Sequence, residues 1–179
     1  MTNRSAAVTT DRRSALLRDG LRLEVFTVGW NIVEAGIAIV AGVVAGSVAL
    51  VGFGLDSVIE SVSGVALYHR LQSEISQGDP EGNAARERRA LLFVGVSFFL
   101  IAGYVLYEAG STLMERRAAE HSSVGMVLAV ASLVVMPLLG WRKLRVAREL
   151  ESCALAADAM ETFVCSYLSF ALLLGLGLN

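Results

Sequence analysis

Residues 25–67 read VFTVGWNIVEAGIAIVAGVVAGSVALVGFGLDSVIESVSGVAL, two apolar runs separated by a few small residues. Each run is about 20 residues long, the length that an α-helix needs to cross a hydrocarbon core of roughly 30 Å. Gly46 lies between the runs, where a glycine commonly ends a helix. The stretch therefore predicts two membrane helices joined by a tight hairpin at Gly46, and one long continuous helix is the alternative.

Three further apolar runs follow this pair along the chain. The predicted spans are residues 25–44, 47–69, 90–113, 123–141 and 153–178. Hydrophobic residues make up 55% of the 179 residues, more than the roughly 45–50% of an ordinary soluble domain. The predicted fold class is all-α, a polytopic membrane helix bundle of about five transmembrane helices.

Basic residues are distributed unequally between the two ends of these spans. With the N-terminus in the cytoplasm, thirteen of the 15 Lys and Arg residues lie on the cytoplasmic side, and Arg116 and Arg117 lie outside. This asymmetry follows the positive-inside rule. The sequence predicts a cytoplasmic tail over residues 1–22, a transmembrane domain over 23–179 and a cytoplasmic loop over 70–89. No cleavable signal peptide is expected, because the first residues are polar and basic.

Several classes of protein are disfavoured by composition. The formal net charge of −2 gives no basic face for nucleic acid. Cys153 and Cys165 fall in or beside the last apolar run, which argues against a secreted disulfide framework and predicts two free thiols. No neighbouring histidine or oxyanion-type motif supports Cys165 as a nucleophile. We therefore predict neither an enzyme nor an organic cofactor.

Acidic residues inside the predicted spans carry the functional information. A charge at the middle of a bilayer costs at least about 2.5–3.5 kcal/mol, so such residues face the bundle interior, water or a partner. Asp56 and Glu60 are spaced i, i+4 and share one face of the second span. Two carboxylates so close repel each other unless a cation or a proton lies between them.

A second stripe lies on the fifth span, where Asp158, Glu161 and Cys165 follow i, i+3, i+7. The two spans are predicted to run antiparallel. At about 1.5 Å per residue, Asp56 then reaches the depth of Cys165 and Glu60 that of Glu161. Three carboxylates and one thiol converging near the midplane predict a tetrahedral site for zinc or a neighbouring divalent metal.

A structural interpretation stands beside this one. Each acid could be a neutral, hydrogen-bonded contact between helices. Glu34 in the first span and Asp158 in the fifth are predicted as accessory residues of an ion pathway, with helix packing as the alternative for both.

The two stripes also carry a resemblance. GSVALVGFGLDSVIES (46–61) resembles the second span of cation diffusion facilitator transporters, and ADAMETFVCSYLS (157–169) resembles their fifth. The resemblance implies that Asp56, Glu60, Glu161 and Cys165 bind the transported Zn(II). It also implies a homodimer that exports metal by alternating access in exchange for protons. Glu161 stands where many members have His, and Cys165 where many have Asp.

The resemblance identifies the chain as a short form, since the family's usual sixth span and C-terminal cytoplasmic domain are not found in the sequence. The predicted function is proton-coupled efflux of a divalent metal cation, with zinc as the preferred cargo. The predicted partners are the lipid bilayer, metal ions, protons and a second copy, and the predicted location is a bacterial inner membrane. The alternative is a non-transporting metal-binding or regulatory membrane subunit.

Overall fold

The computed structural model describes residues 2–77, 80–115 and 122–177, and within these ranges the chain is built from five α-helices and no strand. The helices are α1 (Thr2–Ala45), α2 (Val48–Gln77), α3 (Pro80–Glu115), α4 (Ser123–Leu150) and α5 (Cys153–Gly177). The predicted all-α fold is confirmed.

Among the described residues, four of these helices are long and apolar enough to cross a membrane. They are Asp11–Ala45, Val48–Ser76, Ser123–Leu150 and Cys153–Gly175. α3 contains the predicted span 90–113 but is not among the four. The chain is an integral, multi-pass membrane protein, as predicted, with a bundle of five helices.

The helices extend beyond the apolar runs that revealed them. α1 begins at Thr2, so the predicted tail over 1–22 is mostly helix. α2 continues to Gln77 and α3 starts at Pro80, so most of the predicted loop over 70–89 is helical as well. α4 runs to Leu150 rather than ending at 141. The membrane thickness sets only the length of the apolar segment of each helix. The helical turns on either side of that segment are stabilised by packing against neighbouring helices.

The turn between α1 and α2 has the geometry of a helix C-cap closed by glycine. Gly46 is left-handed at φ 67°. The backbone N–H of Ser47 donates to the carbonyl of Gly42 at 2.8 Å, and that of Gly46 donates to Val43 at 3.3 Å. The Ser47 hydroxyl then accepts from the backbone N–H of Leu50 and caps α2. The hairpin predicted at Gly46 is confirmed.

The turn between α4 and α5 repeats this geometry with a different residue. Glu151 is left-handed at φ 55°. Ser152 donates its backbone N–H to the carbonyl of Ala147 at 3.0 Å, and its hydroxyl accepts from the N–H of Leu155. The two turns therefore differ in whether the left-handed residue has a Cβ, which is unfavourable in that conformation.

The two turns predict opposite effects of substitution. Gly46→Ala is expected to lower the free energy of unfolding by roughly 1–2 kcal/mol, and Glu151→Gly is expected to raise it by about 1 kcal/mol. The check is denaturant unfolding of the purified variants in one detergent, with Gly29→Ala as the control because Gly29 has open space at its Cβ position. Equal effects of the two exchanges would contradict the expectation.

Four of the helices form a closed ring. α1 packs on α2 and α4, and α5 packs on the same two helices from the opposite side, while α3 lies outside the ring against α2 and α5. The interior of the ring is therefore lined by α1, α2, α4 and α5. Its two ends are named here the Gly46 end and the Glu151 end, after the turns that they contain.

The ring interior consists of two apolar clusters with a polar layer between them. The cluster at the Gly46 end includes Leu50 and Phe53 of α2, and the cluster at the Glu151 end includes Leu67 and Leu71 of the same helix. The polar layer holds buried side chains from all four helices. On α1 and α2 they are Glu24, Thr27, Asn31, Glu34, Asp56, Ser57, Glu60 and Ser63, and on α4 and α5 they are Ser132, Lys143, Asp158, Glu161 and Thr162.

Candidate metal site

The structure brings the four predicted ligands into the interface between α2 and α5. Asp56, Glu60, Glu161 and Cys165 are 3%, 1%, 1% and 2% exposed, respectively. Cys165 lies beside both Asp56 and Glu60. Each helix therefore presents its stripe to the other, which the i, i+4 spacing on each helix makes possible.

Two hydroxyl groups fix the register between these helices. Thr162 of α5 donates its hydroxyl to Glu60 Oε1 at 2.9 Å. Ser63 of α2 donates its hydroxyl to Glu161 Oε2 at 2.8 Å. Glu60 and Glu161 consequently lie at neighbouring depths, and Asp56 lies one turn nearer the Gly46 end. Both bonds leave the second oxygen of each glutamate available.

Several carboxylate oxygens at this depth have no hydrogen-bonding partner in the described part of the chain. They are both oxygens of Asp56, Oε2 of Glu60 and Oε1 of Glu161, and all are buried. Buried oxygens without partners are unfavourable unless a cation, a proton or water satisfies them. At the same time, the described residues contain no group of three or more His, Cys, Asp or Glu side chains already arranged to hold a metal ion. The four residues thus face one another without forming a closed cage, and their metal binding stays a prediction.

Glu34, predicted as an accessory residue, lies on the Gly46 side of this group. Its side chain is 1% exposed. Oε2 accepts a hydrogen bond from Ser57 at 2.8 Å and Oε1 accepts one from Ser132, so the carboxylate joins α1 to α2 and α4. These contacts show what holds Glu34 in place, and its role in an ion pathway stays a prediction.

Asp158, the other predicted accessory residue, is part of a buried ion network at the Glu151 side of the site. The Lys143 ammonium donates to Asp158 Oδ2 at 2.5 Å and to Glu24 Oε2 at 3.2 Å. All three side chains are 0% exposed. The ammonium thereby connects α1, α4 and α5 in the interior of the ring.

Comparison with known proteins places the chain in a family. A family model described as the cation efflux transmembrane domain matches residues 25–179. The chain belongs to the cation efflux family. Its members are transporters and not enzymes, in agreement with the prediction that the chain is not an enzyme.

A curated relative with low sequence identity supports the same assignment. An uncharacterized transporter of Synechocystis is 25% identical to this cation efflux protein over 138 residues, which cover 75% of the present chain and 44% of the relative. The chain thus spans less than half the length of that relative. No solved structure matches the present chain.

Sequence reasoning missed the buried ion network of this cation efflux protein. Lys143 is one of the thirteen basic residues that the sequence predicts on the cytoplasmic side, beyond a span ending at 141. In the structure it lies inside α4 with its side chain fully buried. A signal was present, because the buried residues Leu139, Lys143, Val146 and Leu150 follow the i, i+4, i+7, i+11 spacing of one helix face. A long apolar stem lets a lysine share such a face.

Charge in the interior of this cation efflux protein is strongly unbalanced. The polar layer contains six buried carboxylate residues, Glu24, Glu34, Asp56, Glu60, Asp158 and Glu161, and Lys143 is the buried base among the described residues. Lys143 pairs with Glu24 and Asp158. The other four acids form no ion pair with a base in the ranges that the structure describes, although the charge of Lys143 also acts on Glu60. The acids still outnumber this one base, so the interior favours a cation.

Proposed function

We propose that this chain transports a divalent metal cation, zinc first, through a site formed by Asp56, Glu60, Glu161 and Cys165, in exchange for protons. The observation that carries the proposal is the set of buried carboxylate oxygens without partners between α2 and α5. These oxygens lie between two apolar clusters, in a membrane domain of the cation efflux family. A cation entering the site would satisfy them.

The donor set supports zinc as the first cargo. Three carboxylates and a thiolate supply oxygen and sulfur ligands, and Zn²⁺ binds both kinds in tetrahedral sites. Closing the cage requires Asp56 and Cys165 to approach the free oxygens of Glu60 and Glu161. Rotation of the Glu60 and Glu161 carboxylates toward the ion is compatible with the hydroxyl bonds from Thr162 and Ser63, since each bond holds one oxygen only.

Proton exchange follows from the charge of the same donor set. Fully deprotonated, the four ligands carry about four negative charges, more than one divalent ion neutralises. When the ion leaves, protons are the alternative partners of the ligands, because Lys143 is the buried base among the described residues and it already pairs with Glu24 and Asp158. The proposal therefore includes metal and proton movement in opposite directions.

The oligomeric state, the membrane and the orientation of the chain are also part of the proposal. A homodimer is supported by resemblance to the diffusion facilitators, and residence in a bacterial inner membrane is supported by the bacterial source of the relative. The basic residues concentrated at one end of the spans support a cytoplasmic N-terminus.

Zinc flux in proteoliposomes tests the proposal. Vesicles carrying the 179-residue chain and an enclosed pH-sensitive dye are expected to take up zinc and to move protons the other way. Asp56→Asn keeps the size of the side chain and removes its charge, and we expect both fluxes to fall to the level of empty vesicles.

Asp19→Asn is the matched control. This variant makes the same chemical change at an exposed carboxylate that pairs with Arg22. Its zinc and proton fluxes should equal those of the wild type. Zinc flux that survives in the Asp56 variant would overturn the assigned site. Zinc binding without any flux in the wild type would instead favour a metal-binding membrane subunit.

A further inference from the structure

Asn31 is a buried amide in α1 whose hydrogen-bonding capacity is unused. The side chain is 0% exposed. Within the described residues, neither its Oδ1 nor its Nδ2 has a hydrogen-bonding partner. A buried amide without hydrogen-bonding partners is less stable than one whose donor and acceptor are satisfied. The Asn31 carboxamide is therefore a buried polar group that a ligand could satisfy.

The face of α1 that carries Asn31 points into the ring. Glu24, Asn31 and Glu34 follow i, i+7, i+10, which is one stripe of a helix. Glu24 contacts Lys143 of α4, and Glu34 contacts Ser57 of α2 and Ser132 of α4. Because both ends of the stripe contact helices across the interior, Asn31 between them faces the same interior.

Two independent registers give the depth of Asn31. Glu24 of α1 and Asp158 of α5 bind the same ammonium, and these helices run in the same direction. Seven residues further along each helix, about 10 Å at 1.5 Å per residue, lie Asn31 and Cys165.

The second register comes from α2, which runs antiparallel to α1. Glu34 accepts a hydrogen bond from Ser57. Three residues back along α1 is Asn31, and three residues forward along α2 is Glu60. The two registers therefore place Asn31 between the depths of Glu60 and Cys165, which differ by about one turn. This is the layer where Asp56, Glu60 and Glu161 also have oxygens without partners.

We propose that Asn31 is a further ligand of the transported cation and binds it through its carboxamide Oδ1, so that three helices and not two hold the ion. This proposal rests on the proposed function of the site. The amide adds a hard oxygen without adding charge. A fifth donor favours divalent cations that accept more than four ligands, such as Co²⁺ and Mn²⁺, alongside Zn²⁺.

Cobalt is the probe for this arrangement, because four-coordinate Co²⁺ absorbs visible light much more strongly than five-coordinate Co²⁺. Wild-type protein in detergent is expected to bind Co²⁺ with a weak visible spectrum. Asn31→Leu has nearly the same volume and no donor, and we expect a stronger, four-coordinate spectrum with a Co²⁺ affinity lower by about tenfold. Asn31→Asp retains an oxygen donor and adds charge, so its Co²⁺ affinity should exceed that of the wild type.

Thr27→Val is the matched control. Thr27 lies on the same stripe, is fully buried and already donates its hydroxyl to the carbonyl of Leu23 at 2.9 Å. Its cobalt spectrum and affinity should equal those of the wild type. If Asn31→Leu and Asn31→Asp both keep the wild-type spectrum and affinity, Asn31 is no ligand and the proposal is overturned. If Asp56→Asn binds Co²⁺ as the wild type does, or the wild type binds none, the metal site itself is wrong.

Discussion

Replacing Lys143 by methionine is expected to lower the free energy of unfolding by about 3–5 kcal/mol, because it leaves two fully buried carboxylates without a counter-charge. Methionine occupies a similar volume, so little of the loss comes from a cavity. Lys143 Nζ contacts both Glu24 and Asp158, and all three side chains are excluded from solvent. Denaturant unfolding of the purified variant in detergent measures the change.

Two further variants separate charge from packing. Arg142→Met makes a comparable change at an exposed neighbour on the same helix and should alter the unfolding free energy by less than about 0.5 kcal/mol. Combining Lys143→Met with Glu24→Gln and Asp158→Asn removes the uncompensated charges and should recover most of the stability. A loss below about 1 kcal/mol in Lys143→Met alone would contradict an ionised network.

Zinc affinity is expected to fall as the pH is lowered, by about tenfold per pH unit for each proton that zinc displaces. The sign follows from the competition at the ligands. Zinc binds the deprotonated carboxylates and thiolate, whereas the metal-free site retains protons, so a lower pH favours the metal-free form. If zinc displaces two protons, the affinity should change by about 100-fold over one pH unit. Zinc titration against a competing fluorescent chelator at several pH values measures this slope.

A substitution in the site should reduce the slope. Glu161→Gln removes one titratable ligand and is expected to lower the number of displaced protons by about one, while also weakening zinc binding. Glu149→Gln is the matched control, since Glu149 forms a more exposed pair with Arg12, and its slope should be that of the wild type. An affinity that does not change with pH would exclude proton exchange at these ligands.

The fold was largely predictable because its signals are local. Apolar run length predicted the membrane helices, and Gly46 predicted the hairpin that its left-handed backbone forms. The helix ends were not predictable from the same signal. Hydropathy detects only the part of a helix that lipid surrounds, whereas the extension of α4 to Leu150 depends on packing against other helices.

Helix periodicity predicted only the part of the candidate site that depends on spacing within one helix. The spacing of Asp56 and Glu60, and that of Glu161 and Cys165, is enough to place each pair on one face, and the depth of each pair follows from the rise per residue. The hydroxyls of Thr162 and Ser63 could not be assigned this way. Their roles depend on which residue of the neighbouring helix lies opposite.

By itself, the sequence determined an all-helical membrane protein with two acidic stripes at matching depths, because run length and the 3.6-residue period are properties of a single helix. Tertiary structure alone decided the closed ring of α1, α2, α4 and α5. It also decided that Lys143 enters the interior to pair with Glu24 and Asp158, and that Asn31 of α1 is buried in the same polar layer as the acids of α2 and α5. These pairings depend on the rotation and register of one helix against another, and those are set by the packing of all the side chains together.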